Sequence, residues 1–205
     1  QMTRPGRLLK HQIRVRTFAD WEERVPGFFE ADLVAHCGCS VEGSFLYTLV
    51  LVDITTGWVE CLALLHRSKD AVIDALERVR RLLPFPLLGL DTDNGSEFIN
   101  TALIEYCEQE KITFTRGRAY KKNDQCFVEQ KNGAIVRQLV GYDRFEGYKA
   151  YRQLTELYRA IRLYNNYFQP SMKLHKKTRV CSKVHKSYDR ARTPFQRLRE
   201  SGILK

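Results

Sequence analysis

The chain has 205 residues, 43% hydrophobic and 28% charged, enough apolar material for one sizeable core. No apolar run approaches the roughly 20 residues that cross a bilayer, and the opening QMTRPGRLLKHQIRVR has no secretory-type apolar stretch, which predicts a soluble, cytoplasmic protein with no membrane partner. The net charge of +10 is uneven: residues 20–110 hold 6 basic and 17 acidic groups, whereas residues 111–205 hold 23 basic and 7 acidic, so carboxylates gather in one region while the rest suits a polyanion.

Residues 1–25 carry an excess of basic groups and read as a linker. In residues 28–36, FFEADLVAH, Phe29, Ala31, Leu33 and Ala35 alternate with Glu30, Asp32, Val34 and His36, the period of a strand, and Asp32 falls on its more polar face. FLYTLVLVD and WVECLALL are two further strands, joined by a short turn at Ile54 to Gly57. From Ser68 the period changes to that of an amphipathic helix, with Val72, Ala75, Leu76, Val79, Leu82 and Leu83 apolar, ending before Pro84.

Leu87 to Leu90 is a short buried strand that runs straight into Asp91-Thr92-Asp93-Asn94-Gly95, a sharp turn. A helix with Ile99, Ala102, Leu103, Tyr106 and Cys107 on its apolar face follows, then a fifth strand over Ile112 to Thr115. Gly117 to Gln125 reads as a basic, mobile loop. A third helix is expected from about Asp124 to Val140, with Glu129 bordering its buried face beside Val136 and Val140. A fourth, about Tyr148 to Phe168, is expected to bury Tyr151, Leu154, Leu157, Tyr158, Ile161 and Tyr164. After Pro170 the tail is basic with little periodicity. The order β-β-β-α-β-α-β-α describes a mixed sheet with helices on its faces, with Asp32 mid-strand and Asp93 just past another strand's carboxyl end, so both can reach one crevice.

These residues resemble the integrase-core (DDE) superfamily, which includes retroviral integrases and bacterial insertion-sequence transposases. Asp32 in FFEADLVAH matches the family's first Asp. The T-D-N-G-S-E-F motif stands verbatim at Thr92 to Phe98 and supplies Asp93. Glu129 in NDQCFVEQKN opens a helix after 35 intervening residues, the family's spacing. The resemblance covers roughly residues 26–170, and YNNYFQPSMKL looks like the bacterial transposase branch. It implies a ribonuclease H-like α/β core with a mixed five-stranded sheet over 26–145, followed by a C-terminal helix and basic tail over 146–205. It also implies a homo-oligomer, nucleoid association, DNA as substrate, and cleavage at element ends followed by strand transfer into target DNA.

Phosphodiester transfer needs an activated nucleophilic oxygen and a stabilised leaving oxygen on opposite sides of phosphorus, which two hard divalent ions can provide. Hard ions take oxygen ligands, so the resemblance assigns Asp32 to both Mg²⁺ (or Mn²⁺) ions, Asp93 to one and Glu129 to the other. Gly133, one turn after Glu129, leaves room beside it. Arg116, Arg118, Lys121 and Lys122 in the basic loop, with Lys131 and Arg137 beyond, are candidate phosphate contacts. Solvent exposure is the alternative for these six.

Several residues mimic the site. Asp53 and Asp91 each end a strand and can cap a turn, and neither fits the spacing. Glu30 shares the face of Asp32 and is a candidate supporting carboxylate. His36, Cys37 and Cys39 lie too close together along a strand to close a tetrahedral zinc site. The sequence also departs from its relatives. Val136 stands seven residues after Glu129, where several place a DNA-contacting Lys, and no zinc module or helix-turn-helix is evident. Two alternatives stay open: a ribonuclease H-like nuclease, and a domesticated DNA-binding protein without catalysis.

Overall fold

The computed structural model describes residues 7–17, 25–119, 122–180 and 182–204. Six strands form one sheet: β1 (Arg14–Val15), β2 (Phe28–Ala35), β3 (Tyr47–Asp53), β4 (Val59–Leu64), β5 (Gly89–Thr92) and β6 (Thr113–Arg116), in the spatial order β1-β6-β5-β2-β3-β4. β3 pairs antiparallel with β2 and β4, whereas β5 pairs parallel with β2 and β6, and β1 parallel with β6. The sheet is therefore mixed as expected, with six strands rather than five. The extra one is a two-residue piece of the basic N-terminal segment, preceded by a short helix α1 (Arg7–Gln12). Two residues are too few for periodicity to register.

Strand alternation sorts the core into two layers. Phe29, Ala31, Leu49 and Leu51 face α2 (Lys69–Leu82), α3 (Thr101–Gln109) and α6 (Pro194–Glu200), whose Leu76, Leu103 and Leu198 are fully buried there. Val34, Val50 and Val52 pack on the opposite side against Val128 of α4 (Cys126–Lys131) and Leu154, Tyr158 and Ile161 of α5 (Gly147–Leu163). Glu30 and Asp32 share the second face, so β2 aims both carboxylates at α4. The helices start where local chemistry permits: the Ser68 side chain accepts the Ala71 N–H, and that of Asn100 the Leu103 N–H.

The C-terminal segment differs from its expected form. It contains a hairpin, β7 (Leu174–Val180) with β8 (Lys183–Tyr188), and then α6, opened by a capping box between Thr193 and Gln196. Leu198 lies in the main core at 0% exposure. Leu198→Ala is therefore expected to cost about 2–5 kcal/mol in denaturant unfolding, whereas an unpacked tail predicts no change.

α5 closes in a π-helical turn over Tyr164–Phe168. Leu157 and Tyr164, expected inside, lie to one side of the stripe formed by Leu154, Tyr158 and Ile161 and are exposed, whereas Asn165 and Asn166 in the π-helical turn are buried. Asn166 has a clear task. Its side chain accepts the Val59 N–H at 2.9 Å and donates to the Val59 carbonyl at 2.8 Å, satisfying backbone groups on edge strand β4.

Candidate active site

The site begins with register. Parallel pairing aligns Phe28 with Gly89 and Ala31 with Thr92, so the next step along both strands sets Asp32 beside Asp93. A strand interior and a strand end thus present two carboxyl groups near one another. Burial, and then the neighbouring Asp93 charge, push the Asp32 carboxyl up to about 6. Asp93 is also raised, first by burial and then by Glu97, against the lowering effect of the Gly95 N–H that its Oδ1 accepts at 2.9 Å.

The turn after β5 explains its own sequence. Asn94 donates through Nδ2 to the Gly117 carbonyl at 2.9 Å, fastening the turn to the segment after β6. A Cβ on Gly95 would lie 2.5 Å from the Glu97 Oε1, so only glycine permits the carboxylate to fold against this backbone. Glu97 is buried and accepts Arg67 Nη2 at 2.7 Å. Its charge acts on both Asp32 and Asp93. Sequence reasoning passed over both Glu97 and Arg67. Glu97 was visible inside the motif, whereas Arg67, 30 residues away, had no signal of its own.

α4 is seated on β2 through two polar contacts. Glu30 Oε2 accepts the Val128 N–H at 2.9 Å, and Asn132 Nδ2 donates to Asp32 Oδ2 at 2.8 Å. Asp32 Oδ1 takes the Leu33 N–H at 2.7 Å. Glu30 is fully buried, its Oε1 without a hydrogen-bond partner among the described residues, and burial pushes its carboxyl up to about 8, with Asp91 and Glu129 adding to the rise. Glu30, a candidate supporting carboxylate by sequence, contacts the first turn of the helix that carries Glu129.

The expected third helix is a composite: a 3-10 turn over Lys122–Gln125, then α4, then a π-helical turn over Asn132–Arg137. Within it Val128 is buried and Glu129 is exposed, away from the buried border that its helical angle suggested. Glu129 lies three residues before Asn132, one turn along the same side of the helix. Among the described residues, no three His, Cys, Asp or Glu side chains converge closely enough to hold a metal ion. Asp32 and Asp93 are brought together, and Glu129 stands one turn from the Asn132 amide that touches Asp32. A Cβ on Gly133 would meet nothing within 4 Å.

The mimics have structural work. Asp53 accepts the Gly27 N–H, the Thr56 N–H and the Thr56 hydroxyl at the β3–β4 turn. Asp91 accepts the Thr115 hydroxyl at 2.6 Å and Gln125 Nε2 at 3.4 Å. Buried His36 meets the Thr48 hydroxyl at 2.7 Å, and desolvation lowers its imidazole to about 4.

The Asp32–Asp93 pair fits a hard cation. Two partly desolvated carboxyl groups on neighbouring strands repel one another, and a divalent ion with oxygen preference would remove that repulsion. Asn132 holds one Asp32 oxygen in place. Asn132→Ala is expected to raise the Mg²⁺ concentration needed for thermal stabilisation roughly tenfold or more, the usual cost of losing such a support; an unchanged Mg²⁺ titration would show the contact to be idle.

Comparisons with known proteins agree with this fold. Residues 22–122 match the integrase core domain family. That match places residues 22–122 in the integrase-core superfamily. Over 189 residues, 92% of the chain, it is 50% identical to an uncharacterized protein, y4rM, of Sinorhizobium fredii (strain NBRC 101917 / NGR234), and spans 54% of that relative's length. The catalytic core domain of BIV integrase superposes with a TM-score of 0.58 at 17% identity, covering 86% of this chain and 95% of the other. The HTLV-2 integrase catalytic core domain in complex with magnesium gives 0.54 at 20%, covering 72% and 91%.

In this integrase core the basic residues singled out from sequence have varied surroundings. Arg116 donates to the Lys10 carbonyl at 3.1 Å and to Asn94 Oδ1 at 3.2 Å. Arg118 forks onto Asp124 with two 2.8 Å bonds. Arg137 donates to the Gly141 and Ala35 carbonyls and lies over the Tyr142 ring. Lys131 is half-buried, with its ammonium pKa lowered by burial and then by Arg197. Lys122 enters the 3-10 turn, and Lys121 lies outside the described residues. Arg116 and Arg137 thus brace backbone carbonyls, and Arg118 pairs with a buried carboxylate. Among the described residues, no helix is long and apolar enough to cross a membrane.

Proposed function

We propose that this integrase core is the catalytic part of a transposase that nicks DNA at element ends and joins the freed 3′-OH to target DNA. The observation that carries the reading is the contact from Asn132 on the Glu129-bearing helix to Asp32, which stands beside Asp93. That contact supports a reading in which the strand, the post-strand turn and the helix serve one site.

Asp32, Asp93 and Glu129 would hold the Mg²⁺ or Mn²⁺ ions, with Glu129 swinging in from one turn away. When bound, two such ions activate the attacking oxygen and stabilise the leaving one. The protein's own contribution is positioning. Asn132 orients Asp32, Glu30 seats the helix, and Glu97 with Arg67 shapes the turn behind Asp93. In the first step water displaces a 3′-oxygen from phosphorus, leaving a 5′-phosphate and a 3′-OH. In the second that 3′-OH displaces a 3′-oxygen of the target, forming one phosphodiester for each one broken, so no outside energy source is needed. Joining two ends at one target calls for a homo-oligomer.

The test is a plasmid carrying element ends incubated with the protein and Mg²⁺. Nicks at the ends and joined products are expected, both abolished by EDTA. Cleavage confined to RNA–DNA hybrid would move the chain to the ribonuclease class, and duplex binding without any metal-dependent nicking would make it a binding protein.

A further inference from the structure

The C-terminal segment docks through a cluster of cationic groups that the metal chemistry does not use. Arg197, 7% exposed, donates through Nη2 to the Ser171 carbonyl at 2.6 Å and to Asp189 Oδ2 at 3.0 Å, and through Nη1 to the Arg192 carbonyl at 2.8 Å. Arg192 donates through Nη2 to the same Asp189 oxygen at 3.1 Å and through Nη1 to Glu200. The terminal nitrogens of both guanidinium groups are therefore committed. The Nε of each is buried and has no hydrogen-bond partner among the described residues. Two buried N–H donors left unsatisfied on neighbouring groups cost stability that an acceptor would restore.

Charge indicates what kind of acceptor fits. Arg192, Arg197, Asp189 and Glu200 line a cleft of about 340 Å³ together with Lys173, at the small end of ligand-sized sites. The Lys173 ammonium donates only to neutral groups, the Ile54 and Thr55 carbonyls, at 2.5 and 2.8 Å. Burial, and then the Arg197 charge, lower its pKa against the raising effect of Asp53 and Asp189. An adjoining cleft adds Arg190 and Arg199, so the two together hold five cationic side chains against two carboxylates. Asp189 is already engaged, since it accepts the Lys173 N–H at 2.6 Å as well as both arginines. A water would satisfy a free N–H but leave the charge excess. A planar carboxylate engages a single guanidinium fork, whereas Lys173, Arg192 and Arg197 come from three separate segments, an arrangement suited to a tetrahedral oxyanion.

We propose that this cleft binds a compact phosphate-class oxyanion, free or as the terminal group of a small nucleotide, through Lys173, Arg192 and Arg197. The site does not rest on the transposase reading, because it uses none of the three carboxylates. A bound oxyanion would bridge the residue that precedes β7 to α6, and so pin the C-terminal segment to the β3–β4 turn that Lys173 grips. The same ammonium lies 5.8 Å from the centre of the Phe127 ring, two residues before Glu129.

The full chain is titrated by calorimetry with sodium phosphate and, separately, with adenosine monophosphate, without divalent metal and at constant ionic strength, with glutamate as the carboxylate control. One phosphate group bound per chain is expected, with a raised melting temperature. Equal affinities for the two would identify the free ion as sufficient, and tighter binding of the monophosphate would identify a nucleotide; either supports the site. Arg192→Gln should weaken binding roughly tenfold or more, the cost of a charge-assisted hydrogen bond. Glu200→Gln should tighten it about two- to fivefold, because it removes a part-exposed opposing charge. Opposite shifts from two neighbouring substitutions are a signature that misfolding does not produce. Absence of saturable one-to-one binding by the wild type, equal binding of glutamate, or wild-type affinity in both variants would each overturn the site. Displacement of the bound phosphate by random-sequence duplex at matched phosphate concentration would make the cluster part of a nucleic-acid path and overturn it as well.

Discussion

Asp32→Asn should abolish Mg²⁺-dependent nicking, by on the order of a thousandfold or more, while making the metal-free protein more stable. On the proposed reading the loss follows from removing a side chain that would hold the ions stabilising the developing charge, an effect of several kcal/mol at about 1.4 kcal/mol per factor of ten. The gain follows from the same carboxyl. Held up at about 6 by burial and by Asp93, it costs stability at neutral pH that a neutral amide would not. The rise from an ordinary aspartate's 3.8 to about 6 corresponds to about 3 kcal/mol at most, so a gain of about 1–3 kcal/mol is expected in denaturant unfolding at a pH of about 7.5. Added Mg²⁺ should raise the melting temperature of the wild type and leave this variant unmoved. Glu129→Gln makes an informative contrast. It should lose nicking to a similar degree without a stability change, since Glu129 is exposed. Nicking retained in either variant would remove that residue from the site, and a destabilised Asp32→Asn would contradict the repulsion itself.

The second large effect belongs to Glu30. In the folded protein its carboxyl keeps a proton until about pH 8, whereas the unfolded chain releases it near 4.5. The native state therefore binds more protons across that window. Stability from this residue is full below about pH 4.5 and is lost as pH rises toward 8, by on the order of 4 kcal/mol. Glu30→Gln keeps an oxygen for the Val128 N–H but has no proton to lose. It should be more stable than the wild type at about pH 8, nearly equal at about pH 5, and still able to nick. Glu30→Leu removes the acceptor and should unseat α4, lowering nicking at every pH. Unfolding measured without divalent metal at both pH values checks the sign. A Glu30→Gln protein equally destabilised at both would mean that the native carboxyl is ionised.

How far these sites could be foreseen varies with distance along the chain. The strand carrying Asp32 announced itself by alternation, and the turn after Asp93 by Asn94-Gly95, since both signals are local. The shared face of Glu30 and Asp32 followed from the same two-residue period. Asn132 did not stand out, because its partner is 100 residues away and an Asn in a helix has no distinctive spacing. Leu157 and Tyr164 sit at the margin of the apolar stripe, where periodicity does not decide between inside and outside, and packing left both exposed. The hairpin was hidden for a different reason. Its apolar residues are few, so no hydrophobic alternation marks its strands.

The sequence by itself determined the order of elements, the alternation that sorts β2 and β3 into two packed faces, and the identity and spacing of Asp32, Asp93 and Glu129. Those properties are written in neighbours a few residues apart. Tertiary structure decided that Asp32 and Asp93 lie side by side, that Asn132 and Glu30 seat α4, that Glu97 and Arg67 close the turn, and that α6 returns to the core. Each depends on which strands pair and in what register, a choice made by the burial of whole faces at once, which no single stretch of chain encodes.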